Sequence, residues 1–156
     1  MKPHIILATV AALTISPLTA AEAEPRGAAI EFAKKNPDFA AFAEKLVQLT
    51  QSGDTDGLRK LTVIGDGESY WKATKTSLEM IKTRKFKSSS YEFDAKKRTY
   101  ELMGTPWDLS LPAEGQITVS LRYVPEGDEG AGSYVVRYLV AKTEEGWKVA
   151  VPTKQQ

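Results

Sequence analysis

The sequence predicts an α+β domain in which three N-terminal helices pack on a curved antiparallel sheet. Two observations support this prediction. Up to about Lys85 the apolar residues recur at spacings of three and four, which is typical of amphipathic helices. From Ser88 onward they alternate with polar residues, which is the period of a β-strand. Helices followed by hairpins favour an architecture in which one helical layer covers one face of the sheet.

The first residues have the layout of a secretory signal peptide. Lys2 supplies positive charge, an uncharged apolar run of 11 residues follows from Ile5 to Ile15, and Ala21-Glu22-Ala23 forms an A-x-A-like site. We expect cleavage between Ala23 and Glu24, and a periplasmic or secreted bacterial protein. A retained anchor would need about 20 apolar residues, and no later stretch is apolar enough, so we expect no membrane span after cleavage.

Three segments follow from this pattern: a signal peptide (1–23), a polar lead-in (24–36) and a single domain (37–156). An extra helix within the lead-in stays open, since it contains Ile30 and Phe32. The chain has 21 Lys and Arg, 20 Asp and Glu, and a net charge of +1. Such a balance does not favour nucleic acid as a partner. Because the chain has no cysteine, its stability must come from burial without disulfides.

The predicted helices begin at recognisable residues. The first starts at Asn36-Pro37-Asp38, where an N-cap residue, a proline suited to the first turn and an acidic residue coincide. Its apolar stripe has spacings of 3, 4 and 3, at Phe39, Phe42, Leu46 and Leu49. Asp54 is expected to cap a short second helix. A third helix is expected to run from Asp66 or Ser69 to about Lys85.

The strand pattern predicts hairpins. Apolar residues alternate with polar ones, or occur on both faces, in five stretches: 91–93, 100–102, 117–123, 133–142 and 147–151. The fourth stretch is apolar on both faces apart from Arg137. A strand of that kind is usually covered on both sides.

This order of elements resembles the NTF2-like superfamily of cone-shaped domains. The residues from Phe42 to Asp54 resemble the family's first helix and turn, those from Asp56 to Leu61 its short second helix, and those from Tyr138 to Val149 its closing hairpin with a Gly-Trp-Lys strand. The resemblance implies a pocket between sheet and helices but no particular activity, because such folds host many functions. Catalytic members use Asp, Tyr or His in the pocket, and no motif here places those residues.

Several chemistries are excluded by composition. The only histidine, His4, lies in the signal peptide. The mature chain therefore lacks the usual ligands for zinc, copper or haem and any Ser-His or Cys-His nucleophile. We expect neither a metal nor a cofactor.

Two short motifs have ordinary structural interpretations. Asp54-Thr55-Asp56-Gly57 resembles the start of a calcium loop, yet Leu58 stands where an EF-hand needs its third ligand, so helix capping explains the residues better. Ser69-Tyr70-Trp71-Lys72 matches the S-x-x-K of penicillin-recognising enzymes. The companion S-D-N and K-T-G motifs are missing, which favours a capping serine and a surface lysine.

Charge is unevenly distributed along the chain. From Lys72 to Arg98 nine basic residues oppose three acidic ones, whereas from Glu101 to Gly132 six acidic residues oppose only Arg122. The Lys82 to Lys87 stretch is a candidate surface for an acidic partner in an accessory role. The more common interpretation is a solvated face.

Arg137 is the most suggestive residue because it shares a row with Val135 and Leu139. Three interpretations stay open: it orients an acidic ligand in a pocket, it forms an ion pair across a dimer interface, or its stem lies along the sheet beside a carboxylate. The candidate ligand-binding residues are this arginine and four aromatic residues: Trp71, Trp107, Tyr123, Arg137 and Tyr138.

The sequence favours a non-enzymatic exported module that binds a small apolar or amphipathic ligand or a protein, and we expect it to form a homodimer. The alternative is an isomerase or dehydratase that uses carboxylates and tyrosines on a small apolar substrate. That alternative needs an Asp or Glu with a raised pKa facing an apolar cavity, close to a tyrosine hydroxyl.

Overall fold

The computed structural model describes residues 22–63, 67–124, 127, 130 and 132–155. Within these ranges the chain forms four helices and eight strands, in the order β1 (Glu24–Arg26), α1 (Ala28–Lys35), α2 (Pro37–Gln51), α3 (Thr55–Arg59), α4 (Glu68–Lys82), β2 (Phe86–Asp94), β3 (Tyr100–Leu102), β4 (Thr105–Leu109), β5 (Gly115–Tyr123), β6 (Gly132–Thr143), β7 (Gly146–Ala150) and β8 (Pro152–Gln155). The predicted signal peptide lies almost wholly outside the described residues, so its cleavage stays a prediction.

The α+β class is confirmed, with two corrections to the helical layer. The described residues hold four helices rather than three, because the predicted polar lead-in contains β1 and α1. Asn36 precedes α2 as predicted, but its side chain makes no N-cap bond there. The Asn36 amide instead donates to the carbonyl of Phe32 at 2.9 Å and closes the end of α1.

The sheet is mixed and not wholly antiparallel. Its five strands have the order β1-β2-β5-β6-β7, and β1 pairs parallel to β2. All four helices lie in the chain between these two strands, and a long helical crossover is the usual connection between parallel neighbours. A separate three-stranded sheet has the order β3-β4-β8. The cone shape expected from the resemblance stays a prediction.

The core lies between the helices and one face of the five-stranded sheet. The register places Tyr91, Val119 and Val136 side by side on that face. The largest fully buried side chains come from both layers: Phe39, Leu46, Leu58, Trp71, Ile81, Tyr91, Ile117, Leu121 and Tyr138. The apolar stripe predicted for α2 is therefore confirmed as a core face.

Phe39 is at the centre of an aromatic cluster that joins both layers. Its ring centroid lies 4.7 Å from that of Phe32, 4.8 Å from Phe93 and 5.0 Å from Trp147. These partners belong to α1, β2 and β7, so one side chain of α2 contacts three other elements. Edge-to-face and tilted pairs of this kind add to the free energy gained from burial alone.

We expect Phe39→Ala to lower the free energy of unfolding by about 3–5 kcal/mol, because it removes transfer energy and leaves a cavity. Urea denaturation measures the change. The control is Ile30→Ala on the exposed side of α1, which should change stability by less than about 0.5 kcal/mol. A loss below about 1 kcal/mol for Phe39→Ala would contradict the central position of this ring.

A buried hydrogen bond ties β6 to α2. The Thr50 hydroxyl donates its one hydrogen to the carbonyl of Leu46 at 2.7 Å. The hydroxyl of Tyr138, 2.8 Å from Thr50 Oγ1, must therefore be the donor in that pair. Both residues are buried, so Tyr138 depends on Thr50 for its acceptor.

With Tyr138 as the donor, substitutions of the two residues should lower the free energy of unfolding by unequal amounts. Thr50→Val leaves the Tyr138 hydroxyl buried without an acceptor and should cost about 1–3 kcal/mol. Tyr138→Phe leaves Thr50 bonded to Leu46 and should cost only about 1 kcal/mol. Urea denaturation of both variants and of the double variant tests this, since the double variant should be more stable than Thr50→Val alone. Equal costs for the two single changes would argue against the assigned donor.

Candidate functional site

An apolar notch lies between α4 and the first half of β6. Its volume is about 200 Å³, and its lining comes from one side of α4 and from four consecutive residues of β6: Tyr70, Trp71, Thr74, Ser77, Leu78, Ile81, Val135, Val136, Arg137 and Tyr138. The notch exists because β7 pairs with β6 only from Leu139 to Thr143. From residue 132 to residue 138, no strand of the described chain pairs with β6 on that side.

A more polar cavity of about 240 Å³ adjoins the notch on the opposite face of the sheet. Strands of both sheets contribute to its lining: Tyr70, Thr99, Tyr100, Glu101, Gln116, Arg137, Leu139, Ala150 and Pro152. Tyr70 and Arg137 line this outer cavity as well as the notch. These two residues therefore stand where an apolar space meets a polar one.

Arg137 is exposed and has no ion pair among the described residues. The described residues therefore do not support the interpretation in which Arg137 lies beside a carboxylate. Within the single chain the outer face of β6 is covered only over its second half. Leu139 is buried and lines the outer cavity with residues of the second sheet, but Val135 is 46% exposed. The homodimer that would cover this face stays a prediction.

Trp71 brings an unsatisfied polar group to the site. Its side chain is 2% exposed, and the indole Nε1 has no hydrogen-bond partner among the described residues. Trp71 lines the notch and also a cleft between α3 and α4. Buried N–H groups are nearly always bonded in folded proteins, so this one needs an explanation.

The structure brings together three of the five predicted site residues, namely Trp71, Arg137 and Tyr138. Trp107 lies outside the notch on β4, with its ring 6.5 Å from that of Tyr100. Tyr123 lies at the far end of β5, beneath the Arg84 guanidinium at 5.1 Å. Neither of these two aromatic residues lines the notch or the outer cavity.

Sequence reasoning missed Tyr70. It was considered only as the second residue of the S-x-x-K motif, yet it lines both cavities. The available signal was helical spacing, since Tyr70, Thr74, Ser77 and Ile81 follow one another at steps of 4, 3 and 4 on one side of α4.

Residues of both short motifs, including Asp54, Asp56 and Lys72, line the cleft between α3 and α4. This cleft has a volume of about 440 Å³ and is lined by four acidic and four basic side chains: Asp54, Asp56, Glu68, Glu79, Arg59, Lys72, Lys75 and Lys82. Asp54 Oδ1 accepts from the Gly57 N–H at 2.8 Å, which confirms the capping interpretation for Asp54. The capping interpretation of Ser69 is wrong, because Gly67 is the N-cap of α4 and Ser69 lies inside the helix. Among the described residues no group of Asp, Glu, Cys or His could hold a metal ion.

The carboxylates of the described residues do not meet the condition for the isomerase or dehydratase. All of them are exposed except Asp94, which is partly exposed and accepts from the Lys96 N–H at the end of β2. Of these groups only Glu101 reaches a cavity that contains Arg137, and it is itself exposed. No described carboxyl group faces the apolar notch.

Comparisons with protein-family models, with curated proteins and with solved structures find no match for this chain. The resemblance to NTF2-like domains and the export of the protein therefore stay predictions. Among the described residues, no helix has the length and apolar character needed to cross a bilayer.

Two tyrosines of the site should make the fold sensitive to alkali. Burial raises the pKa of Tyr70 to about 12. Burial also raises the pKa of Tyr138 well above its usual range, and the hydrogen bond with Thr50 opposes this only in part. The unfolded chain releases these protons from about pH 10 while the folded chain retains them, so stability falls as pH rises from about 10 to about 12.

Urea denaturation at increasing pH measures this loss. The double variant Tyr70→Phe/Tyr138→Phe should lose less stability over the same pH range, because its notch has no tyrosine hydroxyl that can ionise. An equal loss in the native protein and the double variant would show that other groups control the alkaline transition.

Proposed function

We propose that this protein is a non-catalytic binding module whose ligand places an anionic group at Arg137 and an apolar part in the notch. The observation that supports this proposal is the position of Arg137. It carries a charge without an ion pair among the described residues, and it lines both an apolar and a polar cavity. If the signal peptide is cleaved as predicted, the module acts outside the cytoplasm.

The chemistry of the lining suits such an amphipathic ligand. A guanidinium presents donors in a planar fork that matches a carboxylate or phosphate. The notch offers apolar side chains from Leu78, Ile81 and Val136. An oxygen of the ligand that reached the Trp71 indole would also satisfy its buried N–H, a group that is costly to leave without a partner.

The larger cleft between α3 and α4 suits an anionic ligand less well. Acidic residues of the protein itself already neutralise its cations, with Arg59 3.6 Å from Glu68 and Lys75 3.8 Å from Glu79. An incoming anion would have to displace these carboxylates, and its own attraction to the cleft would be reduced by them. Arg137 has no ion-pair partner among the described residues, although the exposed Glu101 lines the outer cavity with it.

We expect octanoate to bind the notch and Arg137→Gln to weaken that binding by about tenfold or more, as loss of a charge-assisted hydrogen bond requires. The uncharged analogue 1-octanol should bind both forms equally. Titration followed by nuclear magnetic resonance measures the affinities, and the indole N–H signal of Trp71 should shift with either ligand.

The matched control is Arg26→Gln on β1, at the other edge of the five-stranded sheet. This change removes the same charge and should leave octanoate binding unchanged. If Arg137→Gln and Arg26→Gln weaken octanoate binding equally, the loss is due to the change in net charge and not to the position of Arg137. If the indole N–H signal of Trp71 does not shift on addition of octanoate, the proposed site is wrong.

A further inference from the structure

The notch borders an unpaired strand edge, and this bears on the nature of its ligand. Resting on the proposed binding at Arg137, we infer that the ligand is an extended polypeptide segment with an acidic residue, which pairs as an added strand with β6 over residues 133–137. Backbone hydrogen bonds would then supply affinity, and side-chain pockets would supply specificity, as in other cases of strand addition.

The hydrogen-bonding parity of β6 supports this inference. The carbonyl of Val140 accepts from the Glu114 N–H on the side of β5. Because backbone groups of successive residues alternate in direction along an antiparallel strand, Ser133, Val135 and Arg137 direct their N–H and C=O away from β5. No strand of the described chain pairs with them there.

The open edge has few of the features that usually prevent strand addition. Natural edges are protected by proline, charged side chains, bulges or a covering element. Of these the described edge has one charged side chain, Arg137, and one flanking ring, Tyr70, which lines the cavities on both sides. Between Ser133 and Arg137 the chain has no proline, and its register with β5 is uninterrupted. Val135, at the middle of this edge, is exposed. The edge is thus regular enough to bond three alternate residues of an added strand.

The size of the notch favours side chains over a compact ligand. Its volume of about 200 Å³ is below the roughly 300–1,000 Å³ of ordinary ligand pockets. The side chains of an added strand would point alternately to the two sheet faces. One row would enter the notch beside Val136, and the other would lie on the outer face next to Val135 and Arg137.

Charge determines which polypeptide suits the edge. Antiparallel self-pairing of two copies about Val135 would place Arg137 of each copy opposite Ser133 of the other. Ser133 is in turn the cross-strand neighbour of Arg122. Arg137 of one copy and Arg122 of the other would then occupy backbone positions about 10 Å apart, two strand spacings, on the same face. A partner with Asp or Glu opposite Arg137 replaces this repulsion by an ion pair, so an acidic segment fits better than a second copy.

The probe is the acetylated and amidated peptide Ser-Glu-Leu-Thr-Leu-Glu-Ser, which reads the same in both directions and so does not presuppose strand orientation. Its affinity for the full chain is measured by fluorescence anisotropy. We expect binding that weakens about tenfold or more when Arg137→Gln is used or when both Glu are replaced by Gln. Arg26→Gln should leave the affinity unchanged.

N-methylation of the peptide tests pairing of the backbone directly, without altering the protein. If the peptide pairs antiparallel, the central Thr directs its N–H toward Val135 and both Leu direct theirs away, so a methyl group on the Thr nitrogen should abolish binding and one on a Leu nitrogen should be tolerated. If the peptide pairs parallel, these two results should be exchanged. Equal loss with both methylated peptides would overturn strand pairing.

The remaining outcomes separate this inference from the proposed function. No binding of the peptide at millimolar concentration, with octanoate still bound through Arg137, would overturn strand addition and leave the small-ligand site. A dimer in sedimentation experiments that Val135→Lys converts to a monomer would show that a second copy occupies the edge and would also overturn the inference. Failure of both octanoate and peptide would remove the site altogether.

Discussion

The constraint on which the site depends is the early departure of β7 from its neighbour. β6 has 12 residues and β7 has five, so only the second half of β6 is paired on that side. The chain leaves at Val151, whose N–H bonds to Ser110 Oγ and whose carbonyl accepts from the Ser110 N–H. Pro152 follows and has no N–H for a ladder. The last strand therefore joins the second sheet, and the edge of β6 stays open.

The helical period of α4 keeps this edge free of neighbouring charge. Lys72, Lys75 and Glu79 line the cleft toward α3, whereas Thr74 and Ser77 line the notch. The same helix thus presents a charged surface on one side and an uncharged one on the other. Tyr138, held by its bond to Thr50, anchors β6 at the inner end of the notch. A site held in place by such contacts loses little entropy when a ligand binds.

Local patterns predicted most of the elements and only part of the site. The stripe from Phe39 to Leu49 and the alternation from Ile117 to Tyr123 predicted α2 and β5, because each pattern is complete within one segment. In the lead-in the extra helix left open by the sequence is α1, whereas β1 was not predicted because it has only three residues. Strands that short are defined by their partner, here β2, and not by their own composition.

The sequence by itself determined the α+β class, the buried faces and the absence of thiols and of histidine beyond His4, because periodicity and composition are properties of one chain segment at a time. Only the tertiary structure decided that Trp71, Arg137 and Tyr138 share a cavity while Trp107 and Tyr123 do not. That grouping depends on which strand lies beside which helix and on where β7 turns away. These are long-range relations between segments, and no local pattern encodes them.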